Sequence, residues 1–354
     1  MTEMMNNWLQ FLAAQGAHFD LDNPAEVLDF GLAVPLTTLQ AGFFAPLTDL
    51  GVIGASGEEA AGFLHNQLTN DVAHLSADDV RLAGYCTPKG RLLATVLMWK
   101  PADTIFLQLP LALQPAIQKR LQMYVMRSKV KLTDQNDSHV LLGFGGRTAG
   151  AALNAWFPAL PAEPYTSISN DAGTLLRLAD AFDAPRYQWF ASMATAQHAW
   201  PALSGRLAAV GSSIWRWSAI HAGVPQISLP TQEQFVPQML NLELIGGVNF
   251  KKGCYPGQEI VARMQYLGKL KRRMLAASVS APAVAAGMEV FSGSDPEQPC
   301  GMIVNAERSA GDDFDCLVEI KIAAAAEGAI HLGAADGPLL RFRALPYPLP
   351  NDSE

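Results

Sequence analysis

Cysteine is scarce in this chain, and so is positive charge. Four cysteines, Cys86, Cys254, Cys300 and Cys316, are spread over 354 residues. None forms a Cys-x-x-Cys pair, so neither a disulfide framework nor a closely spaced zinc-ligand set is encoded, and a reducing compartment suits the chain. The 25 Lys and Arg are outnumbered by 33 Asp and Glu, for a formal net charge of −8. No general basic field is available to hold a polyphosphate backbone. There is no run of about 20 apolar residues to cross a membrane. Residues 1–29 hold Glu3, Asp20, Asp22, Glu26 and Asp29 but no Lys or Arg, the opposite of a presequence or a signal-peptide start. The Gly-x-Ser-x-Gly, His-Glu-x-x-His and P-loop patterns are absent, and the seven histidines are scattered without ligand spacing. These absences lead us to expect a cytoplasmic protein with no permanently bound metal, no direct nucleic-acid binding and no membrane partner.

What is present is a globular composition, 49% hydrophobic and 16% charged. A chain of this length exceeds what one core supports, so two or three domains are expected. Periodicity predicts a helix over 5–15 and then a polar, proline-punctuated stretch. A strand is expected over 49–55, followed by a helix capped by Ser56, with Glu58 and Glu59 in its first turn and Ala60, Phe63, Leu64 and Leu68 on its apolar face. Strand-like runs over 80–87 and 91–99 flank a Pro88-Lys89-Gly90 turn, which reads as a hairpin. A further strand over 103–109 precedes an amphipathic helix over 114–125, with Ile117, Leu121, Tyr124 and Val125 inward. Strands over 139–144, 174–178 and 187–191 and helices over 148–157, 195–207 and 212–222 fill the middle. Short strands over 270–280, 288–291, 301–306, 315–322 and 339–344 read as a small β-barrel or sandwich. The mixture is α+β, not a regular βαβ winding.

The segment Lys251-Lys252-Gly253-Cys254-Tyr255-Pro256-Gly257-Gln258-Glu259 carries the chemistry. Gly253 and Gly257 bracket the cysteine and permit positive φ and close backbone approach. Pro256 suits the first position of a helix, and Glu259 its acid-favoured first turn. The thiol is therefore expected at or just before a helix N-terminus, with Lys251, Lys252 and Arg263 adding positive potential. Both influences favour a thiolate, which serves as a nucleophile, a redox sensor or a soft metal ligand. The bland alternative is a small buried hydrophobe, the usual lot of an unpaired cysteine; Cys86, Cys300 and Cys316 fit it. Lys269, Lys271, Arg272 and Arg273 extend the local positive charge, suited to a small anion or an acidic partner.

Three other features need weighing. Gly143-Phe144-Gly145-Gly146 imitates a dinucleotide fingerprint, but Thr148 stands where a small residue is required, so a structural turn is expected. His65 and His221 lie on expected helices and read as packed or solvated. Trp215 and Trp217 are two apart on an expected helix and cannot share a face, which puts at least one at a groove or partner surface. An indole there is a platform for a flat heterocycle, with core packing as the alternative.

At this point the chain resembles the YgfZ family, folate-binding proteins related to the glycine-cleavage aminomethyltransferase. The resemblance rests on Phe235-Val236-Pro237-Gln238, Asn241-Leu242 and the run from Gly246 through Lys252-Gly253-Cys254-Tyr255-Pro256-Gly257-Gln258-Glu259 to Arg263. It extends to Gln67-Leu68-Thr69-Asn70-Asp71-Val72, Lys89-Gly90-Arg91, Ser128-Lys129-Val130 and Leu345-Pro346-Tyr347. The resemblance implies an α+β, three-domain cloverleaf of the aminomethyltransferase type around a folate cavity. Its divisions would be an N-terminal extension (1–45), a folate-binding region of two intertwined subdomains (46–265) and a C-terminal β-barrel (266–354). It also implies tetrahydrofolate or another folate as cofactor, and a role in assembling or repairing iron–sulfur clusters in client enzymes, including tRNA-modifying ones. Cys254 is then the residue of consequence, and Lys252, Gly253, Tyr255, Gly257, Gln258, Glu259 and Arg263 its motif. Trp215 matches a tryptophan assigned to folate. Leu50 stands about where family members can carry a second one, a departure that weakens the pterin contact on that side.

Two other functions compete with this one. A folate-dependent aminomethyltransferase or demethylase needs a positioned acid, for which Asp71 is the candidate. A pure interaction scaffold needs neither folate nor thiol.

Overall fold

A computed structural model describes residues 7–31, 34–266, 268, 270–310 and 313–350. Met5 and Asn6, expected in the first helix, and Lys269, expected in the basic cluster, lie outside the described residues. The chain divides into two compact units. One comprises Met1–Ala60, Leu75–Val80 and Met98–Ser218; the other comprises Ala61–His74, Arg81–Leu97 and Ala219–Glu354.

In the first unit, six strands pair in the order Thr166–Asn170, Gly173–Ala181, Ala184–Ser192, His139–Gly145, Phe43–Pro46, Ala208–Ala209. Side chains alternate across such a sheet. Val140, Leu142, Phe144, Tyr187 and Trp189 therefore share one face. They pack with Trp8 and Leu12 of the Asn7–Ala14 helix and with Ala196, Ala199, Trp200 and Leu203 of the Met193–Ser204 helix. The opposite face meets a second layer, in which Ile105–Pro110, Leu50–Ser56 and Lys131–Asp134 pair antiparallel. Phe190 packs on Phe106 with ring centroids 4.8 Å apart, and Gln188 Nε2 donates to Gln108 Oε1, so the layers meet face to face.

Several expectations shift here. The helix expected from Ser56 begins at Ala60 and has no acid in its first turn. Glu58 and Glu59 serve Lys129 instead: Glu59 accepts from its backbone N–H and Glu58 pairs with its ammonium at 2.7 Å. Tyr124, expected inward on the Gln114–Val125 helix, is 49% exposed, while Ile117, Leu121 and Val125 are buried. The Phe43–Pro46 strand was not foreseen, because four consecutive buried residues show no alternation. The glycines at 143 and 145 lie in a strand. A Cβ at Gly143 would sit 2.6 Å from the Trp215 ring, and one at Gly145 2.5 Å from Phe43. Only Gly146, at φ +92, occupies the turn.

The second unit contains the Pro88-Lys89-Gly90 turn, where Gly90 (φ +71) donates to Thr87 O at 2.9 Å. Its last part is a sheet in the order Ile330–Leu332, Glu289–Ser292, Asp295–Ala310, Asp313–Lys321, Arg272–Ser280, Arg341–Arg343, curled into a six-stranded half-barrel. Val279, Val290, Ile303, Cys316, Val318 and Ile330 fill its core. The strand expected over 301–306 is part of a 16-residue strand, bent by register shifts near Ile303 and Arg308. Arg272 binds both oxygens of Glu319, whose side chain is 2% exposed.

Removing one partner of such a pair leaves a buried charge uncompensated. Arg272→Met is therefore expected to lower unfolding free energy by about 3 kcal/mol, read from urea unfolding of the half-barrel signal.

Candidate functional site

Two stretches distant in sequence meet in the second unit. Thr69 Oγ1 donates to Gly247 O at 2.7 Å, Asn70 Nδ2 donates to Gly246 O at 2.7 Å, and Asn249 N–H donates to Thr69 O at 3.0 Å. The Thr69-Asn70 pair thus braces the loop leading into the cysteine segment. Lys252 then turns inward. Its Nζ donates to His65 O, on the last residue of the Ala60–His65 helix, and, at 2.6 Å, to Leu68 O just beyond the turn that follows it. It also lies 4.9 Å from the Tyr255 ring centroid. Burial pulls this amine down to about 8, against the opposing pull of Asp71 and Cys254.

The far side of the segment is anchored by Gly257. At φ +82 its missing Cβ leaves room for Thr87 O and Gly90 Cα, each 2.5 Å from where that carbon would stand. Tyr255 is buried and accepts from Gln258 N–H through its carbonyl at 3.1 Å. The helix runs Gln258–Tyr266, with Glu259 in its first turn and Arg263 in its last. Pro256 therefore precedes the helix instead of opening it, because Pro256 and Gly257 form the turn that packs on the hairpin. Gly253 does not take positive φ; its neighbour is His65 Nε2, 3.7 Å from where a Cβ would be.

Between these anchors Cys254 is exposed, whereas Cys86, Cys300 and Cys316 are buried. Burial pushes the Cys86 and Cys316 thiols up to about 12. The basic cluster does not act as one surface. Arg272 is held by Glu319 and Arg273 by Glu243, while Lys252 points inward. Lys251, Arg263 and Lys271 are exposed.

Beside the segment lies an arrangement that sequence reasoning missed. Asp71 places Oδ1 3.0 Å from His65 Nδ1 and Oδ2 2.8 Å from His74 Nδ1. Burial raises the Asp71 carboxyl, but hydrogen bonds from His74 outweigh it and hold the group below the usual carboxylate range. His65 is lowered, first by burial and then by Lys252. Nothing in the scattered histidine spacing signals this, since the link is made in space. Among the described residues no cluster of three or more His, Cys, Asp or Glu side chains suits a metal ion.

The remaining predicted residues, Trp215 and Leu50, belong to the first unit. Both indoles of the Ser212–His221 helix are enclosed, Trp215 and Trp217 each being 5% exposed, so neither lies on the outer surface. Trp217 packs on Phe182 at 4.5 Å, while Trp215 lies on Gly143 with the Arg186 guanidinium 4.1 Å over it. Leu50 is buried and lines a small cavity with Trp8, Leu47, Val52, His139 and Leu141.

No protein-family model matches the chain. Among curated proteins, it is 31% identical over 322 residues to the tRNA-modifying protein YgfZ of Enterobacter sp. (strain 638), covering 89% of this chain and 94% of that protein. It is 32% identical over 309 residues to the protein of the same name from Klebsiella pneumoniae (strain 342), covering 86% and 92%. Among solved structures, it is similar to the glycine cleavage system aminomethyltransferase T from Bartonella henselae, with TM-score 0.80 over 97% of this chain and 98% of that chain. At 16% identity that likeness is one of fold.

Two outcomes are expected from this geometry. An aromatic disulfide reagent applied to the native protein should titrate one fast thiol of the four, and Cys254→Ser should abolish that phase; the three buried thiols should react only on unfolding. Lys252 supplies a pH signature. Because its folded value lies near 8 and its ordinary value is 10.5, the unfolded chain binds more protons between those values, so this residue's contribution to stability rises with pH from about 8 to about 10.5. In urea unfolding at stepped pH, Lys252→Met should lack that rise.

Proposed function

Because the chain belongs to the YgfZ family of tRNA-modifying proteins, we propose that it is a tetrahydrofolate-binding factor for the assembly or repair of iron–sulfur clusters. Its clients are enzymes that carry such clusters, tRNA-modifying ones among them, and it acts in the cytoplasm through Cys254. The observation that carries this reading is the contrast among the thiols. Three are sealed in cores, and the fourth is exposed on a segment pinned by Lys252 on one side and Gly257 on the other. An exposed thiol on a braced turn can meet a partner's sulfur, iron or electrophile without rearrangement of the fold. The cluster or its components are cargo in this reading.

For folate, the fit rests on the first unit. Trp215 offers an indole in a layer between two sheets, and Gly143 leaves room for that ring against the strand. Two buried polar atoms of that layer, Arg186 Nε and Gln188 Oε1, have no hydrogen-bond partner. Such a layer suits a flat heterocycle with polar edges. Leu50 would add aliphatic surface only, so the site would lean on one indole instead of two.

The likeness in fold to aminomethyltransferase T favours a second reading, a folate-dependent aminomethyltransferase or demethylase with Asp71 as its acid. Both Asp71 oxygens are engaged by imidazoles, which ranks this reading second. Turnover with a lipoyl-bound aminomethyl carrier protein would reverse the order.

Tetrahydrofolate should quench the tryptophan fluorescence of the wild-type protein and of Cys254→Ser equally. In a strain lacking the gene, wild type should restore activity of iron–sulfur tRNA-modifying enzymes and Cys254→Ser should not. Full restoration by Cys254→Ser, together with no folate-induced quenching, removes the proposal.

A further inference from the structure

Charge is unevenly distributed along the part of the chain that builds the first unit. No Lys or Arg occurs before Arg81, whereas Asp20, Asp22, Glu26 and Asp29 fall close together. Between Asp103 and Asp134 there is no acid, but Lys119, Arg120, Arg127, Lys129 and Lys131 crowd together. Both segments lie in the first unit, and each carries large apolar side chains in the open.

The acidic segment is a hairpin. His18–Phe19 pairs with Val27–Asp29, and Asp20 N–H donates to Glu26 O at 3.0 Å. At its tip Asp20 Oδ1 accepts from the backbone N–H groups of Asp22 and Asn23 at 2.7 and 2.8 Å, an Asx turn that fixes the loop. That turn holds Leu21 outward, 96% exposed. Glu26 is bound by Arg216 and Asp29 by His18, so Asp20 and Asp22 are the acids left beside it. The basic segment closes the Gln114–Val125 helix. Met126 follows that helix at φ +46, a conformation side chains rarely adopt, and stands 86% exposed. Met123 and Tyr124 are 63% and 49% exposed. Single exposed apolar residues are ordinary, but three so close together make a patch. Glu58 takes Lys129, while Lys119 and Arg127 stand exposed around the patch. Tyrosine, methionine and arginine are the side chains enriched where proteins meet proteins.

We propose that two copies of this chain associate reciprocally, the hairpin tip of each seating on the basic patch of the other. Leu21 packs on Met123, Tyr124 and Met126, and Asp20 and Asp22 face Lys119 and Arg127. The match is one of charge as well as of apolar surface: an acidic rim meets a basic one around an apolar anchor. Tip and patch are both exposed in a single molecule, so neither covers the other within the chain. Each copy offers both surfaces, so two equal contacts close around a twofold axis and together supply the area that one lacks. The inference stands apart from the folate and iron–sulfur readings and uses none of their residues.

Sedimentation velocity of the wild-type chain should move from monomer at about 1 μM to dimer at about 100 μM, the range of a small interface. Leu21→Arg sets a cation against the basic patch, and Met126→Glu sets an anion against the acidic tip. Both positions are exposed, so folding is not at stake. Each variant alone should lose at least about tenfold in association. Mixed in equal amounts the two should dimerise again, because one contact is then native and the other pairs the two introduced charges with each other. A wild-type chain that stays monomeric throughout that range overturns the inference, and the patch is then open to another occupant such as an RNA or a client enzyme. Variants that associate like the wild type overturn it, as does a mixture that remains as weak as its components. Assembly that runs past the dimer overturns the reciprocal arrangement.

Discussion

The Lys252 ammonium is buried against main-chain oxygen, and the arrangement around the cysteine depends on how it is satisfied. The Ala60–His65 helix has six residues, too few to be stable alone, and its last carbonyls have no partner within the helix. Lys252 meets His65 O and Leu68 O from another part of the chain and acts as a C-terminal cap supplied in space. Tyr255 closes over the same ammonium with its ring. A compact ammonium suits two converging carbonyls better than a planar fork would. Gly257 then fixes the other end against the hairpin turn. The cysteine is exposed between a half-buried Lys252 and a buried Tyr255 that hold the segment in place.

The first unit solves a different packing problem with glycine. Large rings, Trp215 and Phe43, lie against a strand, and any side chain beneath them would collide. Glycine at alternate positions, 143 and 145, opens the required space while Phe144 between them faces the other way into the helix-covered core. The same alternation across the pairing brings Arg186 and Gln188 onto the indole's side. A glycine pattern that imitates a nucleotide loop is thus a seat for aromatic rings, and the polar groups beside it are buried as a consequence.

Much of this was legible in the residues. Sheet alternation, the Pro88-Lys89-Gly90 turn, the helix over 114–125 and the short strands after Arg263 follow from local pattern, and local pattern survived in the fold. The cysteine motif was legible because glycine, lysine and proline crowd around one thiol. The rest required contacts between distant residues. Arg272 and Arg273 read as part of a basic surface because Glu319 and Glu243, which neutralise them, lie far along the chain. The helix after residue 56 was placed too early because Lys129, which holds Glu58 and Glu59, could not be foreseen. Arg186 and Gln188 went unnoticed because a charged or polar residue in a strand normally faces water. A Gly-x-Gly inside a strand was the available signal that something large lay on top.

The Asp71 carboxylate bears on which reading of the family fold suits this chain. A group that protonates a substrate must carry the proton to begin with. Asp71 is pushed toward that state by burial, but the hydrogen bonds from His74 win and keep it low, so it is ionised at neutral pH. An ionised carboxylate with an imidazole on each oxygen is an acceptor already in use. What it accomplishes is structural: it orients His65, whose Nε2 then backs onto Gly253, the residue before the thiol. Acid catalysis at this position would require Asp71 to give up the hydrogen bonds it accepts from His74. The thiol-centred reading asks nothing of Asp71 beyond what it already does.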